Sequence, residues 1–292
     1  MSNNENNLEF QEVAAQLTVV ERLKNIWKAR ELLMRLIGKE LKVKYKNSFF
    51  GFLWTMLNPA LYLVVYWVVF TKFLNNGIPS FPVYFLSGML LWNVFSASLS
   101  QAAGSVTGNG SIVKKVAFVR EVLPLSAVGT AIFHYVLQLA VLCMALVAFQ
   151  HNIDWKYVWL LPIAFLILIL LSAGLGIIVS ALNIYIRDVQ HFLELGLLVW
   201  FWMTPVIYSY SLASKSKVFH YFVEFNPMSH IVLTFQRVLY RIVSVDGNQI
   251  LPDQGALWYL RNLSLVLLLS LCIFWFSIWF FGKLEANFAE EI

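Results

Sequence analysis

Val158-Trp-Leu-Leu-Pro-Ile-Ala-Phe-Leu-Ile-Leu-Ile-Leu-Leu-Ser-Ala-Gly-Leu-Gly-Ile-Ile-Val-Ser-Ala-Leu182 runs without one charged side chain. An apolar helix of about 20 residues crosses the hydrocarbon core of a bilayer. Five further stretches read the same way: Phe49–Phe73, Phe81–Ala103, Leu123–Phe149, Phe192–Tyr208 and Asn262–Phe281. They are continuously apolar rather than alternating, which excludes the strands of a membrane β-barrel. The chain is 60% hydrophobic and 13% charged, against about 45–50% and about 25% in soluble domains. The expectation is an all-α integral membrane protein with six transmembrane helices. Residues 1–46 form a cytoplasmic N-terminal segment, and 47–292 the transmembrane domain.

The acids lie outside these stretches or at their edges, and His134 is the one titrating group deep within them. Transporters driven by an ion gradient place carboxylates or histidines at mid-membrane. This chain needs another energy source, or is a passive scaffold. No Gly-rich loop ending in Gly-Lys-Ser/Thr is present to cradle ATP. No His-Glu-x-x-His or paired-cysteine pattern points to a metal. Cys143 and Cys272 fall inside apolar stretches and read as core residues. His134 reads as a hydrogen-bonded core residue. The net charge of +5 reflects cations gathered at one membrane face and implies no nucleic acid. The polar, acidic start, Met1 to Gln16, is no basic signal-peptide n-region.

Cytoplasmic connections carry an excess of Lys and Arg. Placing the N-terminal segment, the 104–122 connection, the 183–191 connection and the tail on one face gives fourteen cations there and seven opposite. Both termini are therefore expected in the cytoplasm. From about Leu17 to Lys46 the spacing of Val20, Leu23 and Trp27, and of Met34, Ile37 and Leu41, predicts a basic amphipathic helix in the headgroup layer. It serves either as a lipid anchor or as a collar beside a partner or lipid-linked substrate.

Gly108–Pro124 predicts a short cytoplasmic helix with Lys114, Lys115, Arg120 and Glu121. Too short to be stable alone, it lies on lipid or docks in a groove of a cytoplasmic protein. Arg187 and Asp188, in the next cytoplasmic loop, form a local ion pair or fix that loop against a partner. Between Tyr208 and Asn262 the apolar runs are about ten residues, too short to span. Pro227 disfavours helix at Asn226, and Pro205 ends or kinks the fifth span. Two short re-entrant helices are expected, tolerated at depth only if buried or lining a wet cavity. Glu224, one turn from His220, reads as a gate-lining edge or, on an enzymatic reading, a catalytic pair. Tyr62 and Tyr66 share one face at mid-span, packing on a helix or forming a rail on which sugar rings stack.

The run Lys44-Tyr-Lys-Asn-Ser-Phe-Phe-Gly-Phe-Leu-Trp54-Thr-Met-Leu-Asn58-Pro59 resembles the entry to the first span of polysaccharide-exporting ABC permeases. Tyr185-Ile-Arg187-Asp188-Val189, Pro205-Val-Ile-Tyr208, Asn226-Pro227 and Leu284-Glu285-Ala-Asn-Phe288 follow in the order of that family. It comprises membrane subunits of O-antigen, capsule and teichoic-acid exporters in bacterial cytoplasmic membranes. The resemblance implies a non-enzymatic homodimer above two ABC-type ATP-binding subunits, which bind ATP and Mg, with no cofactor in this chain. It implies coupling through the 108–124 helix (Lys114, Lys115, Arg120, Glu121) and through Arg187 and Asp188. It implies an outer gate over 208–240, with Pro205, Tyr208, Glu224, Asn226 and Pro227. It implies a channel lined by aromatics of the first spans, here Trp54, Tyr62, Tyr66, Trp92 and Phe95. It implies a lipid-linked polysaccharide as cargo. Rival readings are an ABC permease for lipids or drugs and a membrane transferase acting on lipid carriers.

Overall fold

The computed structural model describes residues 17–46 and 48–291, and it is helical almost throughout. Helix α1 (Val19–Lys28) starts at a capping box in which Thr18 and Glu21 satisfy each other's backbone amides. That pairing fills donors the first turn leaves open. Ala29 breaks the chain, and α2 (Arg30–Tyr45) follows. The expected single amphipathic helix is therefore two helices. They are not laid on lipid alone: α1 packs against the last long helix, and α2 along the third.

The core helices are α3 (Leu53–Trp67), prolonged by a π-helical turn over Val68–Phe73, and α4 (Phe81–Ala103). The six-residue α5 (Gly110–Lys115) precedes α6 (Val122–Ala148) and α7 (Leu160–Tyr185). Then come α8 (Val189–Trp202), α9 (Tyr210–Ser214), α10 (Lys217–Phe225) and α11 (Pro227–Leu239). A two-strand hairpin, β1 (Ser244–Val245) and β2 (Asn248–Gln249), turns at Asp246-Gly247, where both φ angles are positive, as such turns require. Helix α12 (Ala256–Leu284) and the short α13 (Phe288–Glu291) close the chain.

Among the described residues, five helices are long and apolar enough to cross a membrane: Leu53–Phe73, Phe81–Ala103, Val122–Ala148, Leu160–Tyr185 and Ala256–Asn287. The sixth expected span, Phe192–Tyr208, differs. Helix α8 covers 14 residues, about 21 Å at 1.5 Å per residue, against about 30 Å of hydrocarbon. It stops at Trp202 because Pro205 disfavours helix at Thr204 and offers no amide to continue the ladder.

Helix α4 is the hub. It packs against α6, α7, α8 and α11, and 78% of its apolar window is covered by protein. Phe81, Tyr84, Phe85, Leu91, Phe95 and Leu99 are fully enclosed. Helix α3 is the opposite case, with 11% of its window covered; Leu57, Leu61, Val64 and Val65 point away from the chain. Cys143 and Cys272 are exposed on the outer faces of α6 and α12 rather than in the core.

Gly174 sets the approach of α7 to α12. A Cβ there would stand 3.0 Å from the Phe274 backbone, and small residues let helix backbones close up in this way. Gly174→Leu should therefore lower the thermal midpoint of the detergent-solubilised protein, at a cost of about 1–3 kcal/mol. An unchanged midpoint would mean that this contact does not hold the two helices.

Candidate functional site

Three regions bring chemistry-bearing residues together. The first is a buried charge cluster at the basic end of the bundle, the end that carries α1, α5 and the C-terminus of α12. Arg22 Nη1 on α1 donates to Glu121 Oε1 at 2.5 Å and to Glu285 Oε2 at 2.8 Å. Arg120 donates to the Glu285 backbone carbonyl at 2.8 Å and its Nε lies 3.8 Å from Glu285 Oε1. All four side chains are buried. Gly282 makes the room, because a Cβ there would stand 2.6 Å from Arg22 Nε.

Burial works against the Arg22 charge, but Glu121 and Glu285 more than offset it and hold its pKa above the usual value. Burial and the neighbouring Glu285 push the Glu121 carboxyl up, with Arg22 opposing. Two cations and two anions balance, which is what makes a buried ionic group tolerable. From the sequence Arg22 counts only among the N-terminal cations and Glu285 only within the tail motif, and neither is expected at a site. Glu285 did carry a signal: an acid at a helix C-terminus opposes the helix dipole and so calls for a cation.

Arg120 and Glu121, expected on a partner-facing helix, therefore turn inward. The reason is local. The helix expected over 108–124 is interrupted: α5 ends at Lys115, Val116 is extended, and Glu121 caps α6. What faces out is Ile112, Lys114, Lys115 and Val116, with Val113 tucked into a cluster that includes Val106, Ile184, Phe281 and Phe288. Arg187 and Asp188 are exposed, and no ion pair links them among the described residues.

The second region is a cavity of about 490 Å³ walled by the end of α2 and by α3, α4 and α6. Trp54 and Tyr62 line it with Lys44, Asn58, Asn93, Gln101, His134 and Gln138. Tyr45 and Thr55 hydrogen-bond through their hydroxyls across its rim. His134 is 7% exposed, and its Nε2 meets no partner among the described residues, contrary to the hydrogen-bonded core histidine expected. The other expected channel aromatics lie elsewhere. Tyr66 stacks on Phe85 at 4.8 Å. Trp92 and Phe95 are buried against Phe201 and Trp200.

The third region is the broken backbone between α8 and α11. Tyr84 donates to the carbonyls of Pro205 and Tyr208 at 3.2 and 2.6 Å, and Gln236 Nε2 adds a bond to Pro205 at 3.0 Å. Asn226 caps α11 through the Met228 amide at 3.0 Å. The same carboxamide accepts from Trp200 Nε1 at 2.8 Å and donates to Thr204 Oγ1 at 2.9 Å. Pro227 begins α11, where its missing amide costs nothing. Glu224 and His220 approach to 3.3 Å in an open setting. A second tie, Arg237 to Asp154 at 2.7 Å with the guanidinium over Tyr157 at 4.3 Å, fixes the end of α11. Among the described residues no group of three His, Cys, Asp or Glu could hold a metal.

Removing one member of a buried ion pair leaves the other uncompensated, at about 3–5 kcal/mol. Arg22→Met should therefore lower the thermal midpoint more than Lys24→Met, two residues away on the opposite, exposed face. Gly282→Val should mimic it by expelling the guanidinium. Equal midpoints for the two methionine variants would deny the cluster a structural role.

The sequence profile of the ABC-2 type transporter family matches residues 31–240. The O-antigen export system permease protein RfbA of Myxococcus xanthus is 32% identical over 94% of this chain and 100% of its own length. A protein of the same name from Klebsiella pneumoniae is 27% identical over 89% of this chain and 94% of its own. The polysialic acid transport protein KpsM of Escherichia coli is 22% identical over 66% of this chain and 75% of its own. With the family profile spanning four of the five long apolar helices and the broken segment between α8 and α11, the chain belongs to the ABC-2 type transporter family of membrane proteins.

Proposed function

We propose that this chain is the membrane subunit of an ATP-driven exporter that moves a lipid-linked polysaccharide across a bacterial cytoplasmic membrane. Similarity along nearly the whole chain to O-antigen export permeases supports the cargo class. The observation that carries the mechanism is the exposed knob of Ile112, Lys114, Lys115 and Val116, joined by a short segment to the clamp of Arg22, Arg120, Glu121 and Glu285. A push on the knob reaches α1, α6 and α12 together, because that clamp binds their ends to one another. Its contact groups are Lys114 and Lys115 with Arg187 and Asp188 nearby in the coupling role, while Arg120 and Glu121 act as the anchor behind them. ATP and Mg are held by a separate ATP-binding subunit, two copies beneath a homodimer of this chain. The sparsely covered face of α3 supports a second copy beside it.

In this reading the basic end is cytoplasmic, as are both termini. The sixth crossing is made by α8 together with the tied backbone at Pro205–Tyr208, and α10 and α11 dip back from outside. Pro227 shares a cleft with Leu265 and Leu269 of α12, and Leu269 lies roughly 20 Å along α12 from Ala256. The Asn226 turn would then sit near mid-membrane, with its polar atoms satisfied by Trp200, Met203 and Thr204. A gate there would open by separating this turn from α8, a rigid-body shift between packed arrangements.

Charge reversal at Lys114 and Lys115 together should reduce co-purification with the ATP-binding subunit and lower polysaccharide-stimulated hydrolysis by about tenfold. Unchanged association and turnover would remove the coupling claim. A cysteine in place of Ser216, an exposed position, should react with an impermeant maleimide added outside intact cells. Reaction only after the inner face is opened would invert the topology.

A further inference from the structure

We infer that the cavity between α2, α3, α4 and α6 is a binding site for a phosphate-linked sugar, the head of a lipid-anchored substrate, entered from the cytoplasmic leaflet. The inference rests on the exporter reading above and names where the substrate head is first held.

The walls have the right chemistry in the right order. Lys44 stands at the basic mouth; among the described residues it is the one charged group lining the space, and no carboxylate faces it. Among the described residues Lys44 has no ion-pair partner. A lone ammonium facing a cavity without acids favours an anion, and lysine binds phosphate as a point charge. Gln101 near the mouth and Asn58 and Asn93 deeper in offer donors and acceptors suited to sugar hydroxyls, while the half-exposed Tyr62 ring offers a face for sugar C–H groups.

His134 is the second, independent observation. It is 93% enclosed, lines the cavity and leaves Nε2 with no partner. Buried polar groups are satisfied in the great majority of cases, and an exception calls for an explanation. Nε2 has no surface open to the cavity, so the ring must turn about its Cβ–Cγ bond before a hydroxyl or phosphate oxygen of the ligand can supply the missing partner.

Depth fits as well. Asn93 lies roughly 15 Å along α4 from its basic end at Ala103, and His134 roughly 18 Å along α6 from Val122. The cavity thus runs from headgroup level toward mid-membrane. At about 490 Å³ it falls within the usual range of small-molecule sites.

The test uses the full chain with its ATP-binding subunit in nanodiscs. The probe is a short-chain polyprenyl diphosphate carrying one N-acetylhexosamine and a photoreactive group on the sugar. Crosslinks should map to α3, α4 and α6 around Asn58, Asn93 and His134. Lys44→Glu and His134→Leu should each lower probe affinity by about tenfold or more, with thermal midpoints confirming that both fold. Because the histidine is buried, Asn58→Trp serves as a second variant that fills the space from the α3 wall, with the same expected loss. Unchanged affinity in all three variants, or crosslinks confined to α8–α11, would overturn the site. Competition by inorganic phosphate at equal concentration would reassign it to free phosphate, and competition by phosphatidylglycerol to bulk lipid; either result overturns the substrate-head assignment. Lost binding in these variants with normal export would sink the site and leave the exporter reading standing. Specific binding here by a chain that exports no glycan would do the reverse.

Discussion

Hydrocarbon offers no hydrogen-bond partner, and that constraint organises this molecule. A backbone polar group left bare in it costs several kcal/mol, so the chain is helical wherever it is apolar. Where the ladder breaks after Trp202, side chains from other helices take its place. Tyr84 and Gln236 bond the Pro205 and Tyr208 carbonyls, and Asn226 bridges Trp200, Thr204 and the start of α11. These ties make non-helical backbone tolerable in the interior. They also make this the segment where two arrangements of the bundle differ at least cost, since a few side-chain bonds replace a full ladder.

The same constraint drives charge to the ends, where it is used. Arg22, Arg120, Glu121 and Glu285 converge from an N-terminal helix, the start of α6 and the end of α12. Buried pairs of this kind add little net stability against an apolar alternative, but losing one partner is costly. Such a cluster fixes geometry more than it adds strength. In the proposed exporter that is its use: the exposed lysines of α5 meet a partner, and the clamp behind them carries the displacement into helices far apart in sequence. The polar cavity opens at the same end, so its mouth and the lever share a scaffold through α2 and α6.

Much of the architecture was legible in the chain. Apolar runs located five long helices, Pro227 marked the start of α11, and the glycines before α5 marked a separate short element. The errors have local causes. Hydropathy carries the fifth run on to Tyr208 because Val206 and Ile207 are apolar, while Pro205, expected to end or kink it, stops the helix at Trp202. The run from 108 to 124 looked like one helix because its charges and apolar residues alternate at helical spacing, yet the chain extends at Val116. Cys143 and Cys272 were read as core, because in a membrane helix apolar character does not distinguish a lipid-facing side from a packed one.

The sequence alone determined that this is a helical membrane protein with its cations gathered at one end, since length and hydropathy of a run decide whether it is stable in lipid. It also carried the ordered motifs by which its family is recognised. Only the tertiary structure decided which charges face a partner and which face each other. Arg120 sits five residues from Lys115 in sequence, but its environment is set by Glu285, brought from the far end of the chain. Likewise Lys44, Asn93 and His134 share a cavity because three helices cross there, and no local pattern encodes that meeting: side-chain neighbours across a helix bundle are fixed by packing, not by spacing along the chain.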